Sequence, residues 1–352
     1  MTTLLYVVGV AGMFLLLIAP HEAGHFALAK LFKVRVIEFS IGAGTKLWSV
    51  TRGGTLYAIR AFPILGYVRM GGMEAGDFED SNGFHRKAAW QRILILLAGP
   101  AANFLVAMVL YSGLGLTQLN SDPGKIVTVV PGTPAAHTGF VPGDSIRTVN
   151  GKPISPGYVQ KVEDAMPGVP LVLSGVHANG SPFTYIVQPV CDQQEKNCHI
   201  GLGVARIVTV GSAVGDGVSF PFVAVGGLVN GLWQLFTGQV PGGVFGPEGF
   251  TGPIGITDVT LGAVSQGPQT YVFLVALLSV ALGFTNLLPL LALDGGRVVV
   301  VLIEVLRRRP LDRTMELNFQ RVGFAALLAL AAVISVMDIQ RIASGTFPGF
   351  NR

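Results

Sequence analysis

Charge is what this chain has least of. Of its 352 residues only 12% are Asp, Glu, Lys or Arg, where an ordinary soluble domain carries about a quarter. With 50% hydrophobic residues and a mean hydropathy of +0.58, that shortage excludes an ordinary soluble protein of this size and marks an integral membrane protein. Charge is wholly missing from Leu4 to Ala19, and Lys and Arg are missing from Gln239 to Thr270. The amino terminus lacks a basic stretch followed by a cleavage site, so the first apolar run is expected to stay as a membrane span. Cysteine is scarce as well: Cys191 and Cys198 are the only two. If their segment lies outside the cytoplasm they suit a hairpin-like disulfide around the polar run Asp192 to Asn197. The alternatives are free thiols, or a zinc site with His199 that lacks the usual ligand count.

The few basic residues are unevenly placed. Ten lie between Lys30 and Arg92 and five between Arg307 and Arg321, which marks both segments as cytoplasmic. The first span then runs from about Thr3 to Leu31 and enters the cytoplasm at Lys30. A second covers roughly Ile93 to Leu116 and leaves on the outer side. It contains Gly99-Pro100-Ala101-Ala102-Asn103, where small residues allow helices to approach, the Gly-Pro step breaks regular hydrogen bonding, and Asn103 reads as a polar link between helices. A third span runs inward from about Thr270 to Asp294. Val218 to Thr237 is apolar enough to be mistaken for a span, but a crossing there would put Arg307-Arg308-Arg309 outside. It is expected instead to lie at the outer interface, its aromatic residues at headgroup level.

The chemistry is concentrated at the end of the first apolar run, in His21-Glu22-Ala23-Gly24-His25. In this H-E-x-x-H pattern two histidines at i and i+4 of a helix share a face and can grip one zinc ion, while Glu22 acts on a water at the metal. On a soluble helix the pattern arises by chance. Inside an apolar span each ionisable group costs on the order of 3 kcal/mol and is functional by default. Asp294, within Asn286-Leu287-Leu288-Pro289-Leu290-Leu291-Ala292-Leu293-Asp294-Gly295-Gly296-Arg297, is expected at the same depth as His21 and His25. Two histidines, one carboxylate and a water make the ligand pattern of catalytic zinc. The alternative for Asp294 is a residue that merely ends a helix beside Gly295 and Gly296.

Two stretches depart from membrane-helix character. Val36 to Ile41 and Leu56 to Phe62, separated by Gly42, Gly44, Gly53 and Gly54, read as β-hairpins. They either dip into the bilayer rim, where such backbone must be covered by protein or line a wet cavity, or lie in the cytoplasm. From about 122 to 208, strand patterning and turn residues indicate a soluble insert. Its Val127 to Ala136 and Gly139 to Gly151 segments closely resemble the core of a PDZ domain of the bacterial protease type, an α+β module that adds peptides to a sheet edge and often captures a chain terminus. A plug or size filter over the active site is the other role open to it.

Taken together, the H-E-x-x-H motif, the G-P-x-x-N segment, the PDZ-like insert, Gly252-Pro253-Ile254-Gly255-Ile256 and the N-x-x-P-x-x-x-L-D-G segment resemble the site-2 protease family of intramembrane zinc metalloproteases, in its RseP-like branch. The resemblance covers nearly the whole chain. Leu291 stands where members often have proline, and one PDZ-like segment is found where some members have two. The resemblance implies a polytopic α-helical membrane protein of about four transmembrane helices, with a membrane-associated β-hairpin element and an inserted PDZ domain. It implies His21, His25 and Asp294 as zinc ligands, Glu22 as catalytic base, and Asn286 and Pro289 as contacts for the substrate chain. It also implies single-span membrane protein substrates, such as anti-sigma factors or remnant signal peptides, in a bacterial inner membrane. The expected organisation is a two-span membrane part over residues 1–119, an extracytoplasmic PDZ domain over 120–210, an interfacial region over 211–268 and a two-span membrane part over 269–352.

The expected chemistry follows. Zinc lowers the pKa of its water to about 7, so that Glu22 takes the proton and later delivers it to the leaving amine. Water must reach the site, which favours a position near the cytoplasmic face. A helical substrate must unwind, and an edge strand near Ile59 to Phe62 is expected to hold it extended. Two other classes compete: a PDZ scaffold with a structural metal, which has no use for Glu22, and a metal transporter, which needs more intramembrane ligands than these three. The bilayer is a partner in every reading, and nucleic acid in none.

Overall fold

The computed structural model describes residues 2–74, 77–157, 159, 169–191, 198–243, 246 and 249–347. They fall into two units, Met1–Leu114 with Asp216–Arg352, and Gly115–Gly215. The helices are α1 (Thr2–Leu31), α2 (Ala89–Leu116), α3 (Val210–Phe236), α4 (Pro253–Gln266), α5 (Pro268–Leu287), α6 (Asp294–Arg307) and α7 (Arg313–Ala343). Five of them, α1, α2, α3, α5 and α7, are long and apolar enough to cross a membrane. By length and composition α3 qualifies with the rest; only the charge argument sets it apart. Its Phe220 stacks on Tyr111 of α2 at 4.2 Å and meets Phe273 of α5 at 6.1 Å.

One expectation about α2 stands and one is corrected. Pro100 lies inside the helix without ending it; having no N–H, it breaks the regular hydrogen bonding at the Leu96 carbonyl, which membrane helices tolerate when neighbours fill the gap. Asn103 is fully buried, yet its side chain links nothing: both amide atoms lack a hydrogen-bond partner. The link runs through its backbone carbonyl, which accepts from Ser279 Oγ of α5 at 2.9 Å.

The third span also ends early. Leu288 leaves the helix with φ −64° and ψ 145°, the extended conformation that a following proline imposes. Asp294 therefore does not close α5; it opens α6. The backbone of Leu287 to Leu291 folds back so tightly that a Cβ on Gly295 or Gly296 would overlap its carbonyl groups. Gly252-Pro253-Ile254-Gly255-Ile256 opens α4, and the Gly252 and Gly255 N–H groups both donate at 2.9 Å to buried Asp338 of α7. A carboxylate there satisfies orphan donors and complements the helix dipole.

Between α1 and α2 the chain forms β1 (Val36–Arg52) and β2 (Thr55–Met70), joined at Gly53 and Gly54 with φ of 57° and 75°. Positive φ at both central residues suits a two-residue hairpin turn. The strands bend so that Phe39, Ser40 and Ile41 pair on one side with Tyr57, Ala58 and Ile59 and on the other with Val68, Tyr67 and Gly66. Two bent strands thus make one four-segment sheet, not separate hairpins. Ile59 pairs with both Ile41 and Trp48, so it is interior and not an edge, whereas Arg60 pairs only with Lys46 and Phe62 only with Ala43. One edge is Gly66 to Met70, which pairs only with Val36 to Ile41; the other is Trp48 to Arg52, which pairs only with Thr55 to Ile59. Buried Glu38 accepts from Arg60 Nη2 at 2.6 Å and from Tyr67 Oη at 2.8 Å. Burial works against its ionisation, but these hydrogen bonds outweigh it and hold the carboxyl below its usual range.

A second polar cluster joins α2, α6 and α7. Arg92 and Arg313 donate to the two oxygens of Glu304 at 2.6 and 2.8 Å, and the Leu311 N–H adds a third bond at 2.9 Å. Burial opposes ionisation of Glu304, and the Leu311, Arg92 and Arg313 contacts overcome it, lowering its pKa. His85 stays neutral beside them, pushed down to about 3 by burial and by Arg313.

In the unit Gly115–Gly215, strands β3 (Ile126–Val129), β4 (Ser145–Val149), β5 (Lys152–Pro153), β6 (Leu171–Val176), β7 (Pro182–Val187), β8 (Val190–Cys191), β9 (Cys198–His199) and β10 (Leu202–Val204) are described. They form a four-stranded sheet in the order β5-β4-β6-β7 and two pairs, β3 with β10 and β8 with β9. Strict alternation along β6 turns Leu171 and Leu173 into a core with Ile146, Val149 and Phe183. Cys191 and Cys198 form a disulfide across β8 and β9; the run Asp192 to Asn197 lies outside the described residues.

Glu304→Gln is expected to lower the midpoint of thermal unfolding in detergent at pH 7, because it leaves Arg92 buried beside a neutral amide, at a cost on the order of 3 kcal/mol. Since the folded-state pKa of Glu304 is lowered, its contribution is present above about pH 4.5 and fades as pH falls below that value. The gap between wild type and variant should therefore narrow on acidification. Equal melting at pH 7 would refute the role given to this pair.

Candidate metal centre

The site depends on how closely α1 and α2 approach. A Cβ on Gly24 would overlap the Ala98 carbonyl, and one on Gly99 would overlap the His25 ring and stand 2.9 Å from His21 Cε1. Two glycines therefore bring the helix backbones together at the level of the histidines. The approach lets His25 Nδ1 bond to the Ile95 carbonyl at 2.8 Å. A carbonyl only accepts, so the proton is on Nδ1 and Nε2 presents its lone pair inward.

The three candidate ligands converge. His21 Nε2 and His25 Nε2 are 3.1 Å apart, and each is 3.2 Å from Asp294 Oδ2. Donors on a tetrahedral zinc, with bonds of about 2.0–2.1 Å, stand about 3.3–3.4 Å apart, so this near-equilateral triangle matches one face of the tetrahedron. Asp294 Oδ2 is buried with no hydrogen-bond partner. Lone pairs and an anion facing each other at such distances repel unless a cation lies among them. The residues fit zinc, and they are the only group of three such ligands among the described residues.

A family model described as peptidase family M50 matches residues 9–330. The chain belongs to that family. Zinc metalloprotease RasP of Geobacillus kaustophilus is 29% identical over 91% of this chain and 94% of its own length. A chain of Clostridium perfringens, named provisionally as a zinc metalloprotease, is 31% identical over 95% of this chain and 98% of its own. One of Fusobacterium nucleatum with the same provisional name is 33% identical over 93% and 96%. This M50 peptidase is thus a zinc metalloprotease of the site-2 type and a multi-pass membrane protein.

Around the triangle lies a cleft of about 440 Å³, within the range of a typical small-molecule pocket of roughly 300–1,000 Å³. Glu22 lines it together with the three ligands. A Cβ on Gly66 would stand 2.9 Å from Glu22 Cγ, so the sheet edge packs directly against the stem of this carboxylate. Asn286 also lines the cleft, its Nδ2 donating to the Leu282 carbonyl at 3.0 Å. Pro289 is exposed and outside the lining. Sequence reasoning missed Arg297 and Phe324 of the same lining. Arg297 was visible as a cation three residues after the candidate ligand; nothing in the sequence of α7 singled out Phe324.

Gly99→Ala separates site from scaffold. Alanine should favour an α-helix by about 1 kcal/mol, yet its methyl occupies the space of the His25 ring. Zinc per chain is expected to fall well below half of the wild-type value with helical circular dichroism preserved. Gly113→Ala, on the same helix with open space around it, should keep full zinc. Equal zinc in both variants would show that the close approach is not required.

Proposed function

We propose that this M50 peptidase cleaves peptide bonds within or near the transmembrane segments of single-span membrane proteins, with His21, His25 and Asp294 holding zinc and Glu22 as general base and then general acid. The observation that carries the reading is a buried ligand triangle beside a carboxylate, in a cleft bordered by a free strand edge. Zinc supplies Lewis acidity to water and to the scissile carbonyl. Glu22 takes a proton from the attacking water and gives it to the leaving amine. His25 is held in one orientation by the Ile95 carbonyl, and Gly66 leaves the stem of Glu22 its place. An unwound substrate lies extended along Gly66 to Met70 as an added strand, and the Asn286 amide oxygen, not spent in its bond to Leu282, accepts from the substrate backbone. Pro289 serves this arrangement by ending α5 ahead of Asp294.

We further propose four spans, α1, α2, α5 and α7, with α3 at the outer interface and the site near the cytoplasmic face of a bacterial inner membrane. Gly115–Gly215 is then an extracytoplasmic PDZ domain that receives or filters peptides; the Cys191–Cys198 disulfide supports an oxidising surrounding. Single-span regulators such as anti-sigma factors and remnant signal peptides are the substrates this reading favours over a scaffold with a structural metal.

In liposomes with a tagged single-span reporter, Glu22→Gln is expected to keep its zinc and lose cleavage by about 100-fold or more. A variant that still cleaves at the wild-type rate would remove Glu22 from the mechanism. Adjacent residues of an antiparallel strand point their N–H groups to opposite sides, so one of Tyr67→Pro and Val68→Pro deletes an outward donor and spares the pairing with β1. That variant should show a raised KM at unchanged zinc. Wild-type cleavage by both would end the case for strand addition at this edge.

A further inference from the structure

Arg297 follows Asp294 by three residues on α6, so the two side chains leave the helix on one face. It lines the same cleft as Glu22, His21 and His25, and among the described lining residues it is the only Lys or Arg. Its placement is costly in two ways. A cation in the first turns of a helix opposes the helix dipole, and the Arg297 Nε is buried without a hydrogen-bond partner, a penalty of about 1–3 kcal/mol. The far side of the guanidinium is nevertheless braced. Nη2 donates to Gln320 Oε1 of α7 at 3.0 Å, Gln320 Nε2 donates to Glu316 Oε1 at 3.4 Å, and Glu316 is paired with Arg313 at 3.0 Å. A guanidinium braced at Nη2, on a residue that lines a hydrolytic cleft, is set up to receive an oxygen from outside the protein.

We propose that Arg297 is the substrate-facing cation of the cleft and donates to the carbonyl oxygen of the bond being cut. As the water oxygen bonds to the carbonyl carbon, the C=O π pair moves onto that oxygen and the hydrogen bond to Arg297 strengthens. When the C–N bond breaks, the pair returns, and the amine leaves with the proton carried by Glu22. Donors aimed at such developing charge act on kcat more than on KM. The inference rests on the protease reading above.

The test uses the full-length protein in liposomes with a single-span reporter, beside wild type and Glu22→Gln. Cleavage by the wild type and not by Glu22→Gln secures the protease reading, so that an active Arg297 variant counts against Arg297 alone. Arg297→Gln is expected to lose about 100-fold in kcat, with KM, zinc per chain and thermal midpoint close to wild type. Arg297→Ala should regain part of that loss with added guanidinium and none with urea, which has the shape without the charge. Undiminished kcat, loss of zinc, or equal rescue by urea would overturn the proposal. Should the Arg297 variants fail to fold, Gln320→Leu leaves the guanidinium in place but unbraced; a fall in kcat of several-fold at full zinc supports the role, and unchanged kcat refutes it.

Discussion

The close approach of α1 and α2 is the constraint on which the rest depends. Where Gly24 meets the Ala98 carbonyl and Gly99 meets the histidine rings, the helices touch backbone to backbone. Only then does the Ile95 carbonyl lie within 2.8 Å of His25 Nδ1. In water such a carbonyl would bond to solvent. In an apolar segment the two groups satisfy one another, and the bond fixes which nitrogen faces the proposed metal site. The geometry of the proposed ligands is thus a product of helix packing, and the packing is a product of two missing side chains.

The third proposed ligand, Asp294, arrives by a different device. A carboxylate at the end of a long apolar helix would be carried wherever that helix pointed. Instead, α5 stops at Leu287, the Leu288–Pro289 step turns the chain, and α6 starts on Asp294 itself. The glycines behind Asp294 let the turn fold flat onto the first residues of α6, and Gly323 of α7 accepts the Ala292 backbone nitrogen 3.1 Å from where its Cβ would stand. The irregular backbone thus packs against α6 and, at Ala292, against α7, and Ala292 borders the cleft, while Pro289, Leu290 and Leu291 stay exposed.

Much of this was legible in the sequence, for identifiable reasons. The H-E-x-x-H spacing encodes a helix face directly, and the apolar runs set the bounds of α1 and α2 to within a few residues. Asp294 was recognisable as a candidate ligand because a charge at that depth needs a partner, but its helix was misassigned: hydropathy does not register a turn built of leucines, and the signal was Pro289. The sheet was misread because alternation gives strand character without pairing. That Phe39 to Ile41 pair on both sides follows from bends at Gly42 and Gly44, and it moved the free edge from Ile59 to Gly66. Asn103 failed for the opposite reason. A buried amide suggests a side-chain bond, whereas the helices are so close that Ser279 reaches the backbone of α2 instead.

The Arg92–Glu304 pair gains its meaning from the same geometry. Arg92 stands three residues before Ile95 on α2, and Glu304 stands ten residues after Asp294 on α6, about 15 Å along the helix. One end of α6 is fixed where Asp294 meets histidines packed on α2, and the other where Glu304 meets Arg92 at 2.6 Å. A single contact would leave the helix free to pivot about Asp294, and a pivot of a few degrees would move Arg297 relative to Glu22. Two contacts that far apart define a line. A buried ion pair is weak evidence for stability but can select one arrangement among many of similar energy, and here the arrangement it selects is the direction of the helix that carries both Asp294, the third proposed ligand, and Arg297, the only Lys or Arg among the described residues of the cleft.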